Sequence, residues 1–330
     1  MLDDALIRQV AEQIHEGYVF TNRGTKSSYL VPWSELPQEI QDSNVYAVRD
    51  FLTRLEAIGM VPELKASRAA LPADIGEADS LLAELGHLSW VHRLKALGWR
   101  HTTGARDPIL KLHPSLVSWA LLPEGERQPE YSLIRQVPMF LDTAGYVIVD
   151  AKGFPDSDLS NEMVETLAQA LHETYQHQRL QYEETVFDNA AMRPWPRLED
   201  TWKAANRAAA ESIGVVLGSV GCTVVPAGAR TSDVLAREDW GHCINALAQV
   251  WHRQWMVDRR NEGWVFALGP KNLAKRRHPD LVSWGDLADA SRDKARAQVQ
   301  ELPAIVARVG LIVSWATPRI GHRTDFNTSA

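Results

Sequence analysis

A fixed spacing between tryptophan and glycine recurs four times along the chain and constrains its fold more than any other feature. The tryptophan stands 26 positions before the glycine in the pairs Trp33/Gly59, Trp119/Gly145, Trp195/Gly221 and Trp284/Gly310. Glycine is favoured just after a helix because it adopts a positive φ without a Cβ clash. The spacing therefore predicts four similar helical units, each closed by a glycine and followed by a short extended run.

A histidine followed three residues later by an aromatic residue precedes each of these tryptophans. The four pairs are His15/Tyr18, His87/Trp90, His172/Tyr175 and His252/Trp255. All lie in segments with helical apolar spacing, where residues three apart share one helix face. In the first unit we predict one helix from Leu6 to Phe20 and another from Tyr46 to Ile58.

The four copies alternate between a short and a long type. The second and fourth share an insertion that the first and third lack, and it consists of Gly98-Trp99 and His113-Pro114 in one copy and Gly263-Trp264 and His278-Pro279 in the other. We therefore predict two tandem pairs: residues 1–150, with copies at 5–64 and 78–150, and residues 160–320, with copies at 160–226 and 235–315. Residues 151–159 have the composition of a linker. A single copy buries too little surface to be stable alone, so the pair is the expected domain.

These motifs together resemble the ryanodine-receptor repeat (RyR) domain. Its pattern is a helix with His-x-x-Trp, then Gly-Trp, then His-Pro-x-Leu-Val-x-Trp, then a helix that ends in Gly before an extended run. Copies two and four match it well, copy one lacks Gly-Trp and His-Pro, and copy three departs furthest, around Arg193-Pro-Trp195. The resemblance implies a mainly α fold: four helical repeats with minor short strands, in two tandem pairs with a pseudo-two-fold relation. The chain looks like a free-standing microbial or viral relative.

Composition excludes several classes of function. The net charge of −7 argues against a general nucleic-acid binder, which needs a basic face to displace counterions. Two cysteines in 330 residues do not make a disulfide framework, so we expect a reducing, cytoplasmic location. The N-terminus has no signal-peptide pattern, and no apolar run is long enough for a membrane span. We expect neither nucleic acid nor membrane among its partners.

Catalytic and metal-binding motifs are missing from the sequence. It contains no Gly-x-Ser-x-Gly, His-Glu-x-x-His, phosphate-binding loop or Cys-x-x-Cys. His15 and His172 are each followed by Glu, but neither has a second His four residues after the first. His242 and Cys243 have no second pair at zinc spacing. We therefore expect a protein that is not an enzyme and uses no metal or cofactor, as the resemblance also implies.

The resemblance further implies binding of an adenine nucleotide or an ADP-ribose-type signal, by a sensor or sponge in phage defence. A base stacks on a flat aromatic surface, and phosphates need cationic groups or backbone N–H groups. One predicted wall of the ligand site is formed by Trp33, Trp119, Trp195 and Trp284. The facing wall consists of Tyr18, Trp90, Tyr175 and Trp255. The expected cationic partners are His113, His278, Lys111, Lys275 and Arg276.

The same residues also have structural interpretations. A tryptophan at a fixed place in a repeat is typical of a core anchor, and the histidines suit buried partners of a loop carbonyl. The alternative function is a protein–protein adaptor that binds an effector protein or a second copy of the chain. A ligand binder predicts repeat-equivalent aromatics clustered with Arg or Lys in a cavity. An adaptor predicts close-packed tryptophans and an exposed apolar patch elsewhere.

Overall fold

The chain folds into two compact helical units, one within residues 1–152 and the other within residues 153–316. The computed structural model describes residues 2–24, 29–65, 72–73, 75–151, 159–181, 183, 185–187, 189–228 and 237–315, with the backbone alone at 77 and 237–239. Helices dominate both units and the strands are short. The prediction of a mainly α chain, with helical repeats in two tandem units, is confirmed.

Four helices pack around one core in the described part of the first unit. They are α1 (Asp4–Thr21), α2 (Gln38–Ala57), α3 (Asp79–Ala96) and α4 (Glu124–Thr143). Helix α1 packs on α2 and α4, and α3 packs on the same two helices. The core between them contains the fully buried side chains of Phe51, Leu55, Leu82, Leu85 and Leu141.

Two strands tie the ends of the two helix pairs together. Strand β1 (Met60–Leu64) follows α2 and pairs antiparallel with β4 (Tyr146–Asp150), which follows α4. The two-residue strands β2 (Arg100–His101) and β3 (Leu112–His113) are parallel and frame the loop between α3 and α4. An antiparallel pair formed by equivalent strands gives the two helix pairs a local two-fold relation.

The second unit repeats this order of elements. Its helices are α5 (Asn161–Leu180), α6 (Asp200–Gly218), α7 (Arg237–Asn261), α8 (Asp289–Gln300) and α9 (Leu302–Arg308). Its strands are β5 (Cys222–Pro226), β6 (Val265–Phe266), β7 (Arg277–His278) and β8 (Leu311–Trp315). Strands β5 and β8 pair antiparallel, whereas β6 and β7 are parallel. Helix α7 packs on α6 and α8, and α5 packs on α6 and α9.

The four predicted helix-closing glycines have the expected left-handed backbone. Their φ angles are 74° at Gly59, 86° at Gly145, 74° at Gly221 and 73° at Gly310, which confirms this part of the repeat. The predicted helix from Tyr46 is longer than expected and begins at Gln38. Its first turns are polar and partly exposed, so apolar spacing does not reveal them, but Pro37 just before them fits a helix start.

None of the described helices is both long enough and apolar enough to span a membrane.

Candidate functional site

A buried histidine holds the loop before the tryptophan in each of the four helix pairs. Its Nε2 donates to the backbone carbonyl two residues before the tryptophan, at 2.8 Å for His15, His87 and His172 and at 3.0 Å for His252. Each imidazole lies 5.7–5.9 Å from the indole of that tryptophan, measured between ring centroids. Burial lowers the pKa of His87 and of His252, which favours the neutral ring. The interpretation of these histidines as buried partners of a loop carbonyl is confirmed.

The same imidazole contacts both of the aromatic rings that were expected to face each other. In the second helix pair, His87 lies 5.6 Å from Trp90 and 5.7 Å from Trp119. His252 contacts Trp255 and Trp284 in the same way, at 5.6 and 5.9 Å. The buried histidine therefore occupies the position next to both predicted walls of the ligand site. A ligand has only the outer, partly exposed surfaces of the indoles available.

His113 and His278 close turns and are not the cations that were expected. Nδ1 of His113 accepts the backbone N–H of Ser115 at 3.1 Å, and Nδ1 of His278 accepts that of Asp280 at 3.1 Å. A ring nitrogen that accepts a hydrogen bond carries no proton. Burial also lowers the pKa of both histidines. Each ring is thus neutral at pH 7 and packs edge-on against the indole of the preceding helix, Trp90 at 5.0 Å or Trp255 at 4.9 Å.

Trp119 and Trp284 are only partly buried, and each has an arginine on its ring. Arg127 Cζ lies 5.2 Å from the Trp119 ring centroid, and Arg296 Cζ lies 5.5 Å from that of Trp284. Arg127 also donates to the Trp119 carbonyl at 3.2 Å, as Arg292 does to that of Trp284. These contacts hold a guanidinium over a partly exposed indole at the surface of each unit.

The arginines Arg127 and Arg292 were missed in the sequence, although a signal for them exists. Each stands eight residues after the tryptophan whose carbonyl it binds. This spacing places them in the first turn of the helix that follows the tryptophan turn, from which a long side chain reaches back over that turn. The repeat alignment that relates Trp119 to Trp284 would have found both.

The tryptophans of the first and third helix pairs have different surroundings. Trp33 is 8% exposed and is a core residue, with its backbone N–H bound by Glu16 at 3.0 Å. Trp195 is partly exposed, and its Nε1 donates to Glu165 at 3.3 Å, a carboxylate that also binds Arg207 at 2.6 Å. The structural interpretation therefore holds for Trp33.

The facing aromatics of these two pairs are tyrosines. Tyr18 is 38% exposed, and its ring lies 6.4 Å from His15. The Tyr175 hydroxyl accepts from Asn189 at 2.9 Å, and Arg179 Cζ lies 5.3 Å from the ring centroid. Each tyrosine thus presents part of its ring to solvent on the helix that carries the buried histidine.

Two of the three predicted cationic side chains from the loops cap helices. Lys111 Nζ donates to the Leu97 carbonyl at 2.8 Å, and Arg276 Nη1 donates to the Glu262 carbonyl at 2.6 Å. Leu97 and Glu262 directly follow α3 and α7, where carbonyls lack a helical partner. Lys275 is exposed in the loop between β6 and β7. Lys111 and Arg276 are therefore engaged with the backbone at the ends of these helices.

An open groove of about 610 Å³ lies in the first unit but away from the predicted site. Helix α1 lines it with Glu12, Glu16 and Phe20, and α4 contributes Phe140. The two carboxylates disfavour a phosphate at this position. Among the described residues, no group of three or more His, Cys, Asp and Glu side chains is placed to hold a metal ion.

Comparison with known families places both units in one family. The model of the RyR domain matches residues 62–150 and 225–314, together more than half of the chain. No curated protein matches the chain. Each matched segment begins inside a strand, β1 or β5, and ends at its antiparallel partner, β4 or β8. The match covers the second and fourth predicted copies, and the helix pairs α1–α2 and α5–α6 precede it. The chain belongs to the RyR domain family.

Proposed function

We propose that the chain is a non-enzymatic binding protein for a nucleotide-derived small molecule, an adenine nucleotide or an ADP-ribose-type signal. It acts as a sensor or a sponge of that signal in the cytoplasm, in phage–host defence. The observation that carries the proposal is the fixed pair of a partly exposed indole and a guanidinium, Trp119 with Arg127 and Trp284 with Arg296. A base needs the flat ring for stacking and a phosphate needs the cation.

The surroundings of each indole support a preorganised platform. The buried imidazole of His87 or His252 contacts the inner part of the ring and binds the loop that carries it. A ring held in this way loses little conformational freedom when a base stacks on it, which favours affinity. The same arrangement around His15 and His172 leads us to propose that α1–α2 and α5–α6 are diverged copies of the RyR repeat.

The test is calorimetry on the full chain with AMP, ATP, ADP-ribose and cyclic ADP-ribose isomers. We expect one of these compounds to bind, and the variant with both Trp119→Ala and Trp284→Ala to lose that binding while remaining folded by circular dichroism. Leu121→Ala is the matched control, because Leu121 is 73% exposed in the same turn as Trp119. Failure of every compound to bind would contradict the proposal, as would a folded double variant that binds normally.

The second candidate function, a protein–protein adaptor, is favoured by exposed apolar side chains in the two loops that interrupt the family segments. Ile109 is 90% exposed in the loop between β2 and β3, and Leu268 is 88% exposed in the loop between β6 and β7. Ile109 adjoins Leu110, which is 60% exposed, and exposed apolar side chains that lie together can bind a protein partner, such as an effector or a second copy of the chain. Light scattering and affinity capture with Ile109→Asp and Leu268→Asp test this candidate, since a partner bound by the wild type must be lost while nucleotide binding is kept.

A further inference from the structure

The open groove of the first unit runs along one face of helix α1, beside α4. Its residues on α1 recur every three or four positions, which places them on one side of the helix. They are Gln9, Glu12, Gln13, Glu16, Gly17, Phe20 and Thr21, and Phe140 of α4 completes the groove. A Cβ on Gly17 would meet nothing within 4 Å, so the middle of the groove is open. The groove follows α1 for about 17 Å, the length of three helical turns.

The groove combines two carboxylates with an exposed aromatic ring. Glu12 and Glu16 are exposed and stand one helical turn apart, and Phe20, one turn further on, is 66% exposed. Glu16 Oε1 accepts the backbone N–H of Trp33 at 3.0 Å, but within the described residues neither carboxylate forms an ion pair. Arg23 Cζ lies 4.4 Å from the Phe20 ring centroid and pairs with neither of them. The groove therefore favours a cation that is joined to apolar groups.

The second unit contains a cation at the equivalent place. Counted from the buried histidines, Glu173 of α5 is the equivalent of Glu16. Arg308 Nη1, at the end of α9, donates to Glu173 Oε2 at 3.5 Å. Counted from the helix-closing glycines, the position of Arg308 is taken in the first unit by Thr143, an exposed residue at the end of α4. The second unit thus supplies from its own helix the guanidinium that the first unit lacks at this carboxylate.

Two further groove positions differ between the units. Gln169 stands at the equivalent of Glu12, so the second unit has one carboxylate where the first has two. Ile305 stands at the equivalent of Phe140 and is 3% exposed, whereas the Phe140 ring lines the groove. The first unit therefore combines a larger acidic charge with an aromatic surface that is open to a partner.

We infer that the groove binds a basic amphipathic helix of a partner protein, whose arginines pair with Glu12 and Glu16 and whose apolar side chains pack on Phe20 and Phe140. Carboxylates one turn apart match cations with the same spacing on an incoming helix. One of these arginines takes the place that Arg308 has in the second unit. The inference goes beyond the proposed function, because the groove contains none of the predicted nucleotide-binding residues.

The experiment is fluorescence anisotropy on the full chain with a labelled synthetic helix of about 18 residues, which carries arginines four apart and leucines on the same face. A second peptide has glutamates in place of the arginines. We expect the arginine peptide alone to bind. The variant with both Glu12→Gln and Glu16→Gln should bind it about tenfold more weakly, because two exposed ion pairs are lost. Glutamine keeps the length of the side chain and an oxygen for the Trp33 N–H.

The matched control is the variant with both Glu56→Gln and Glu173→Gln. It removes the same net charge from two exposed carboxylates, one on α2 and one at the equivalent of Glu16 in the second unit, and it should leave the affinity unchanged. Thr143→Arg tests the geometry without removing a carboxylate. It imports the arginine of the second unit, which should compete for Glu16 and weaken binding of the arginine peptide severalfold.

Several outcomes would overturn the partner helix. A wild type that does not distinguish the two peptides contradicts it, as does an equal loss of affinity in the groove variant and in the control. Unchanged affinity of Thr143→Arg contradicts it too, because the imported guanidinium must occupy the same place. Free arginine that binds as tightly as the peptide would assign the groove to a small cation instead. A dimer of the wild type that dissociates in the groove variant, seen by light scattering, would assign the groove to a second copy of the chain.

Discussion

The helix that carries the buried histidine is stabilised by charges in the first family segment and by apolar groups in the second. In the first segment, Gly86 stands directly before His87, and the side chains of Arg54 and Glu130 fill the space beside it. Arg54 Nη1 donates to the Leu82 carbonyl at 2.7 Å and to Glu130 at 3.3 Å. A glycine in mid-helix is costly on its own, so its presence here reflects the volume of that ion pair.

The second segment has none of these groups at the equivalent positions. Trp251 stands before His252, Val216 replaces Arg54 relative to the helix-closing glycine, and Ala295 replaces Glu130 relative to the repeat tryptophan. Val216 is fully buried. An indole and two small apolar side chains therefore take the place of a glycine and an ion pair. One fold therefore accepts either filling, provided that volume and charge change together.

Removing the Arg54 guanidinium alone should lower the stability of the first unit more than any other change considered. Arg54→Met leaves Glu130 in a largely buried position without its cationic partner. Burial raises the pKa of Glu130, and the charge and hydrogen bond of Arg54 lower it. It also leaves the Leu82 carbonyl without its side-chain donor. We expect a loss of about 3–5 kcal/mol in the free energy of unfolding of the first unit. Urea unfolding of the full chain measures it, and hydrogen exchange in α2 and α3 assigns it to that unit.

The double variant with Arg54→Val and Glu130→Ala is the control, because it imports the residues of the second unit. It removes the Glu130 carboxylate together with the guanidinium and leaves only Asp50, 3.0 Å from Arg54 in the wild type, without that partner, so it should recover part of the loss. A single variant that costs less than about 1 kcal/mol would show that the ion pair contributes little. A double variant no more stable than the single one would show that the charge of Glu130 is not the cause.

Gly86→Ala is expected to destabilise the first unit by a smaller amount than Arg54→Met. A Cβ at this position would lie 2.8 Å from Arg54 Cζ and closer still to Arg54 Nη1 and Glu130 Oε2. We expect a loss of about 1–3 kcal/mol from overpacking, although alanine is the better helix former. Gly17→Ala in α1 is the control, since a Cβ there has nothing within 4 Å, and it should raise the melting temperature. Equal stabilisation by both changes would contradict the packing argument.

The two segments also carry opposite charges three residues after the helix aromatic, Arg93 after Trp90 and Asp258 after Trp255. Burial, followed by the charge of Glu262, raises the pKa of Asp258 to about 6, and burial lowers the pKa of Arg93 to about 10. A carboxyl whose pKa is raised in the folded state binds its proton more tightly there. Its contribution to stability is therefore greatest below pH 4 and is lost as the pH rises to 6.

Asp258→Asn removes this dependence on pH. The variant should be more stable than the wild type by about 1–2 kcal/mol at pH 7.5, and the difference should disappear by pH 4. The free energy of unfolding of the wild type, measured in urea at each pH, is subtracted from that of the variant. This difference cancels the contribution of the histidines. Arg93→Met is the matched control, because a group with a pKa of about 10 does not titrate between pH 4 and 7.5. A stability difference for Asp258→Asn that is constant with pH would show that the carboxyl titrates normally.

Those parts of the fold that depend on local signals were predictable from the sequence. Gly59 marks a helix end because the left-handed backbone at that position favours a glycine. His87 binds a carbonyl in the loop that leads into Trp119. The contacts of Arg54 with the Leu82 carbonyl and Glu130 were not predictable, because these partners lie 28 and 76 residues away in the sequence. Alignment of the repeats does not reveal the ion pair of Arg54 and Glu130, since the second unit has no equivalent of it.

The candidate site was predicted less well for the same reason. The aromatic residues follow from the repeat, whereas the expected cations were chosen by closeness in sequence. Lys111 and Arg276 lie near the indoles in sequence but cap helix ends. Lys271 contacts Trp202, which stands in another helix pair. Sequence distance gives no information about such a contact, and only the packing of the two pairs reveals it.

The smallest expected effect lies where the two segments agree. Lys111 and Arg276 both have a left-handed backbone, with φ of 52° and 48°, and both bind a carbonyl just after a helix. Lys111→Gly removes the exposed hydrogen bond but relieves the backbone, so the two effects offset and stability should change by less than about 0.5 kcal/mol. Arg276→Gly should behave alike in the second unit. Lys111→Ala loses the hydrogen bond without that relief and should be the less stable variant by thermal unfolding. If Lys111→Gly were instead the less stable of the two, relief of the left-handed backbone would not stabilise the protein, since both variants lack the side-chain cap.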